Sequence, residues 1–134
     1  MTRTYSTEAV NRITSIIIDS AIRIHRTVGP GILEKAYFGC LCYELVSAGL
    51  KFETQKELPL LYQGAKIDCA YRADLIVNET VIVEVKAIES LAPIHRRQLL
   101  TYLRIADCPV GLLPNFGALA MKQGIERVVN NLKE

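Results

Sequence analysis

The chain has 134 residues, half of them hydrophobic and 22% charged, with 16 Lys plus Arg against 14 Asp plus Glu. That length supports one core burying about 70% of the extended surface, and the composition excludes intrinsic disorder. A net charge of +2 is too balanced to argue for a polyanionic partner by itself, and no apolar run approaches the roughly 20 residues of a membrane span.

The first residues, Met1-Thr-Arg-Thr-Tyr-Ser-Thr-Glu8, carry no apolar leader, so the cytosol is the expected compartment. Val10, Ile13, Ile17, Ala21, Ile24 and Val28 recur in steps that predict a helix over Thr7–Val28. Gly29-Pro30-Gly31 breaks it. A second helix is expected over Ile32–Ala48, stopped by Gly49. Short β runs follow at Lys51–Gln55, Leu58–Tyr62, Lys66–Val77 and Val81–Lys86, with turns at Gln63-Gly64 and Asn78-Glu79-Thr80.

Pro93 suits the first turn of a third helix, Pro93–Ala106. Pro109–Leu113 reads as a buried strand. The tail, Ile125–Leu132, fits a helix or an edge strand. The order α-α-β-β-β-α-β implies a mixed sheet flanked by helices. With no repeat, linker or low-complexity segment, residues 1–134 read as a single domain. The four cysteines lack zinc-ligand spacing and read as reduced thiols. His25 and His95 read as surface or helix-boundary residues rather than ligands.

Register makes the stretch Tyr71–Lys86 informative, because side chains alternate between the faces of a strand. A two-residue loop mixes charged and apolar groups on both faces. A three-residue loop, Asn78-Glu79-Thr80, sets Val77 opposite Val81 and gathers Ala73, Leu75, Val77, Val81, Val83 and Val85 on one apolar face. Each mis-faced Val or Leu forfeits roughly 1.5–3 kcal/mol, so the second register is expected. Asp74 and Glu84 are then directly opposed, with Cβ atoms roughly 4.5–5.5 Å apart.

Two carboxylates that close need a shared proton or a cation, and converging carboxylate oxygens suit Mg²⁺ or Mn²⁺. Lys86, on the same face, can orient an attacking water or offset charge on a phosphate. Ordinary cross-strand ion pairs on a solvent-facing hairpin are the plainer reading of the same residues. Glu34, in the first turn of the second helix, can complement the helix dipole; it shares a face with Tyr37. Gln98 and Tyr102 share a face of the third helix, at its edge or lining a site. His95-Arg96-Arg97 and Arg104 form a short basic run, either a solvated face or a phosphate contact.

Gly31-Ile-Leu-Glu34-Lys-Ala-Tyr37 resembles the G-x-x-E-x-x-Y signature of the bacterial GxxExxY protein family. Tyr71-Arg-Ala-Asp74-Leu, Val83-Glu84-Val-Lys86, Gln98-Leu-Leu-Thr-Tyr102 and Gly111-Leu-Leu-Pro-Asn115-Phe116-Gly117 follow in that family's order. The likeness spans about Ile22 to Val129. Pro114 departs from the aliphatic residue expected there. That family is similar to the PD-(D/E)XK nuclease superfamily, so the resemblance implies a restriction-endonuclease-like αβββαβ core with an extra N-terminal helix. It also implies Asp74 and Glu84 as metal ligands with the Val85 carbonyl, Lys86 as the catalytic lysine, and Glu34 as an additional acid. Gln98 and Tyr102 resemble the Q-x-x-x-Y element that lines the site of RecB-type nucleases.

The expected activity is therefore Mg²⁺- or Mn²⁺-dependent hydrolysis of phosphodiester bonds in nucleic acid, with DNA the expected substrate. Arg72, Arg96 and Arg97 are candidates for contacts to the substrate backbone. A junction-resolving or repair nuclease, acting as a two-fold dimer, is a narrower form of this reading. From a different class, the fold can serve as a non-catalytic nucleic-acid-binding or assembly module, as a homodimer or within a larger complex.

Overall fold

The computed structural model describes residues 5–68 and 71–132. Helix α1 (Thr7–Val28) opens where the Ser6 hydroxyl accepts the Ala9 N–H, and it buries Val10, Ile13, Ile17, Ala21 and Ile24 at the predicted spacing. Helix α2 (Glu34–Ser47) starts later than its apolar spacing predicts. The Tyr37 hydroxyl donates to the Gly29 carbonyl and accepts the Ile32 N–H, which holds the preceding turn outside the helix. Positive φ at Gly29 (71°) and Gly31 (94°) makes that turn accessible.

Strands β1 (Phe52–Glu57), β2 (Leu60–Tyr62), β3 (Ala65–Ile67), β4 (Arg72–Val77) and β5 (Val81–Val83) come next. Helix α3 (Pro93–Ala106), strand β6 (Val110–Pro114), the short helix α4 (Met121–Gly124) and strand β7 (Ile125–Val129) complete the order. Five strands form one mixed sheet, ordered β1-β4-β5-β6-β7. Only β5 and β6 run parallel within it, joined by the α3 crossover. The β2–β3 hairpin is a separate two-stranded sheet.

One face of the sheet, with Leu75, Val77, Val81, Val83 and Val85, packs on α1 and α2. The other, with Ile76 and Ile82, packs on Leu99, Tyr102 and Leu103 of α3. This is the mixed-sheet, restriction-endonuclease-like architecture expected from the sequence. Val77 pairs with Val81, Ile76 with Ile82 and Leu75 with Val83, as burial of the apolar face requires. Helix α3 covers the second face, which therefore does not lie open to solvent.

Several details differ from the sequence-based expectation. The strand expected over Lys66–Val77 divides into β3 and β4, and Cys69 and Ala70 between them lie outside the described residues. Ala73 packs on the α3 side. Gln55 takes a positive φ (51°) and drops out of the pairing between Thr54–Leu75 and Lys56–Ala73, while the register of β1 against β4 is unchanged on either side. The tail is an edge strand, since Ile125–Val129 pairs antiparallel with β6. His25 is buried in the last turn of α1, where its Nε2–H donates to the Ala118 carbonyl at 2.8 Å. Cys40 and Cys42 are free thiols. Among the described residues, no helix is long and apolar enough to cross a membrane.

The segment after β6 lies hard against the segment after β5. A Cβ added at Gly117 would stand 2.2 Å from the Ile88 carbonyl oxygen. Gly117→Ala is therefore expected to destabilise the protein by about 1–3 kcal/mol, because backbone and not a flexible side chain must move. Chemical denaturation of the variant beside the wild type measures it.

Candidate active site

Strands β4 and β5 stop pairing through their backbones after Leu75 and Val83. Asp74 and Glu84 occupy the next opposed positions, and their side chains take over as acceptors. The Asp74 N–H donates to Glu84 Oε1 at 3.0 Å, and the Val85 N–H donates to Asp74 Oδ2 at 3.0 Å. Each acid thus grips the other's strand. A carboxylate has two oxygens, so each keeps one for a further partner.

Burial makes this arrangement electrostatically tense. Glu84 is 8% exposed and Asp74 half-buried. Removal of Glu84 from water, and next the negative charge of Asp74, push its pKa up from 4.5 to about 8. The bond from the Asp74 N–H and the positive charge of Lys86 oppose that shift without cancelling it. Near neutral pH the pair therefore holds a proton, in the place where a cation would relieve both acids.

Lys86 is fixed through its backbone on the other side. Its N–H donates to the Pro114 carbonyl at 3.0 Å, and its carbonyl accepts the Phe116 N–H at 2.7 Å. Pro114 serves here as an acceptor, so the proline disturbs nothing at this strand end. Val85, between Glu84 and Lys86, buries its side chain in the α1–α2 core.

Helix α3 brings up the remaining wall. Tyr102 is buried, and its hydroxyl accepts from Gln98 Nε2 at 3.0 Å and from the Arg72 N–H. Burial, with the charges of Glu84 and Asp74, raises the phenol pKa above its usual value, so the hydroxyl keeps its proton. The Tyr71 ring tilts against Tyr102, with centroids 5.7 Å apart. Asp74, Glu84, Lys86, Gln98 and Tyr102 thus gather at one end of the sheet, on its α3 face.

Other expected residues lie apart from this group. Glu34 is exposed at the first residue of α2. Among the described residues, no group of three or more His, Cys, Asp or Glu side chains is placed to hold a metal. Arg72 points to Glu57 across β1 at 3.7 Å, and Arg96 pairs with Glu126 at 2.6 Å. Arg97 is exposed on α3. His95 Nδ1 accepts the Ala92 N–H and caps that helix.

Sequence reading did not assign a role to Asn115, Phe116 or Tyr37. Asn115 is 2% exposed, and its Oδ1 accepts from both Ile88 (3.0 Å) and Gly117 (3.1 Å). It ties the segment after Lys86 to the segment after β6. Phe116 stacks on Tyr37 with rings 4.4 Å apart and 9° from parallel. The only signal for this clamp in the sequence is the Asn115-Phe116-Gly117 motif itself.

A buried acidic pair at a splayed strand end, with a lysine two residues on, belongs to a nuclease-like fold suited to a hard divalent cation. Mg²⁺ is commonly held by one or two carboxylates, with waters and substrate oxygens completing its shell, so the two acids fit such an ion without a third. A family model of the PD-(D/E)XK nuclease superfamily matches residues 11–128, and the chain belongs to that superfamily. Nucleases of this superfamily typically use divalent metals. No curated protein and no solved structure matches the chain.

The raised Glu84 pKa has a consequence for metal-free protein. Between 4.5 and about 8 the folded state binds more protons than the unfolded state, so stability falls as pH rises through that window. Glu84→Gln keeps the acceptor for the Asp74 N–H and removes the ionisation. Its urea-unfolding free energy, followed against pH in a chelating buffer, is expected to lose that downward slope.

Proposed function

We propose that this protein is a metal-dependent nuclease that hydrolyses phosphodiester bonds, with DNA as substrate, and that residues 1–134 form one such domain. The observation that carries this reading is the reciprocal grip of Asp74 and Glu84, with Lys86 clamped beside them. Asp74 and Glu84 would hold Mg²⁺ or Mn²⁺, with the Val85 carbonyl as a further ligand. Bound there, the ion supplies Lewis-acid polarisation of the scissile phosphate and a lowered pKa for the attacking water.

The chain's own groups do the rest. The Lys86 ammonium orients the water and offsets charge that develops on the phosphate. Tyr102 keeps its phenolic proton, and Gln98 holds that hydroxyl in place, so the pair forms a neutral polar wall beside the acids. Arg72 and Arg96 reach substrate phosphates by exchanging their present partners Glu57 and Glu126, and Arg97 adds an exposed cation. Exposed ion pairs of this kind hold only about 0–1 kcal/mol, so a phosphate can displace them. The proposed working compartment is the cytosol.

Lys86→Ala is expected to slow cleavage of plasmid DNA at least about a hundredfold while calorimetric Mn²⁺ binding persists. Asp74→Ala is expected to abolish both that heat and any metal-induced rise in melting temperature, since only an ion that binds the folded state stabilises it. Protein that shows no heat with Mg²⁺ or Mn²⁺, and cuts neither DNA nor RNA, overturns the nuclease reading and favours a non-catalytic binding or assembly module.

A further inference from the structure

Helix α2 is apolar on two faces, and the fold covers only one. Tyr37, Leu41 and Leu45 are buried against the core. Leu33, Ala36, Gly39, Tyr43 and Val46 recur at steps of three and four on the opposite side, and all are exposed. The large ones are well out in solvent, with Leu33 at 77%, Tyr43 at 71% and Val46 at 67% exposure. A helix that is apolar all round is ordinarily buried all round.

Between this face and α1 runs a groove of about 450 Å³, bordered by Ile24, Thr27, Val28, Ala36, Gly39 and Tyr43. Its only charged lining residues are Arg23 and Glu44, which pair with each other. A nucleic acid needs unpaired cations facing it, and the charged side chains that line this groove are already paired. The surface also carries both halves of a fit. Tyr43 projects, while Ala36 and Gly39 leave a hollow, and a Cβ at Gly39 would meet nothing within 4 Å.

From this we infer that the outer face of α2 is the interface of a homodimer, with two copies of the helix packed antiparallel about a two-fold axis near Gly39 and Cys40. In an isologous contact the same patch serves both copies, so each feature must find its complement within that patch. The spacing of the stripe meets that condition. Tyr43 of one copy sits over Ala36 of the other, Leu33 meets Val46, and the reverse contacts follow by symmetry. Gly39 at the crossing allows the helix axes to come close. The Arg23–Glu44 rims meet as neutral pairs, without like-charge repulsion. This inference does not depend on the nuclease reading, because it involves neither the acidic pair nor a metal.

Sedimentation velocity of the full chain over a concentration series is expected to show a dimer that dissociates on dilution. Gly39→Leu fills the crossing point without touching the protein's own core and is expected to raise the dimer dissociation constant at least about tenfold, with the circular dichroism spectrum of the monomer retained. Tyr43→Glu is expected to act in the same direction. A double variant, Leu33→Cys with Val46→Cys, is expected to form a reducible covalent dimer under mild oxidation, beyond any that the native thiols of the wild type give. A wild-type protein that stays monomeric up to near-millimolar concentration overturns the inference. So does a dimer indifferent to both Gly39→Leu and Tyr43→Glu, or a cysteine pair that fails to cross-link.

Discussion

Everything at the candidate site depends on an exchange of hydrogen bonds between β4 and β5. A backbone ladder would continue past Leu75 and Val83; instead each strand offers a carboxylate to the other's N–H. Bonds in which a charged acceptor takes a backbone donor are stronger than neutral ones, so the splayed strands stay together. The same exchange concentrates negative charge in a poorly solvated place, and the cost is visible in the raised Glu84 pKa. Geometry and electrostatics are therefore one feature, because the bonds that position the acids also hold them too close to ionise together without a cation.

The surroundings keep this strained end of the sheet in register. Lys86 is anchored through its backbone to β6 and the turn beyond it. Asn115 and Gly117 hold the following segment, and Phe116 stacks on Tyr37 from α2. Tyr37 in turn secures the Gly29–Ile32 turn. A chain of contacts thus runs from the first helical pair to the strand that carries Glu84 and Lys86. Tyr37 and Asn115, motif residues with no role assigned from the sequence, act here by positioning.

The two faces of the sheet divide the work. Helices α1 and α2 cover the aliphatic face, which supplies the larger core. Helix α3 covers the face with the acids and places Tyr102 and Gln98 against them. Helix α2 helps to close the fold and carries a second apolar surface directed away from the core.

Local pattern alone was enough for much of this protein. The steps of three and four in Thr7–Val28, and Pro93 at the head of Pro93–Ala106, mark both helices, and the observed bounds agree. The penalty for exposing Val and Leu selects the hairpin register, and register alone puts Asp74 opposite Glu84. Those are short-range or period-two facts, readable wherever one face must be buried. Long-range closure decided the rest. Whether the tail became helix or strand depended on the open edge of β6, and the division of Lys66–Val77 left no separate mark in the hydropathy. Only the folded chain could show that α3 covers the acidic pair, and that Asn115 clamps the segment after Lys86. Each of these is a meeting of residues far apart in sequence, set by how helices pack across a sheet rather than by the preference of any one segment.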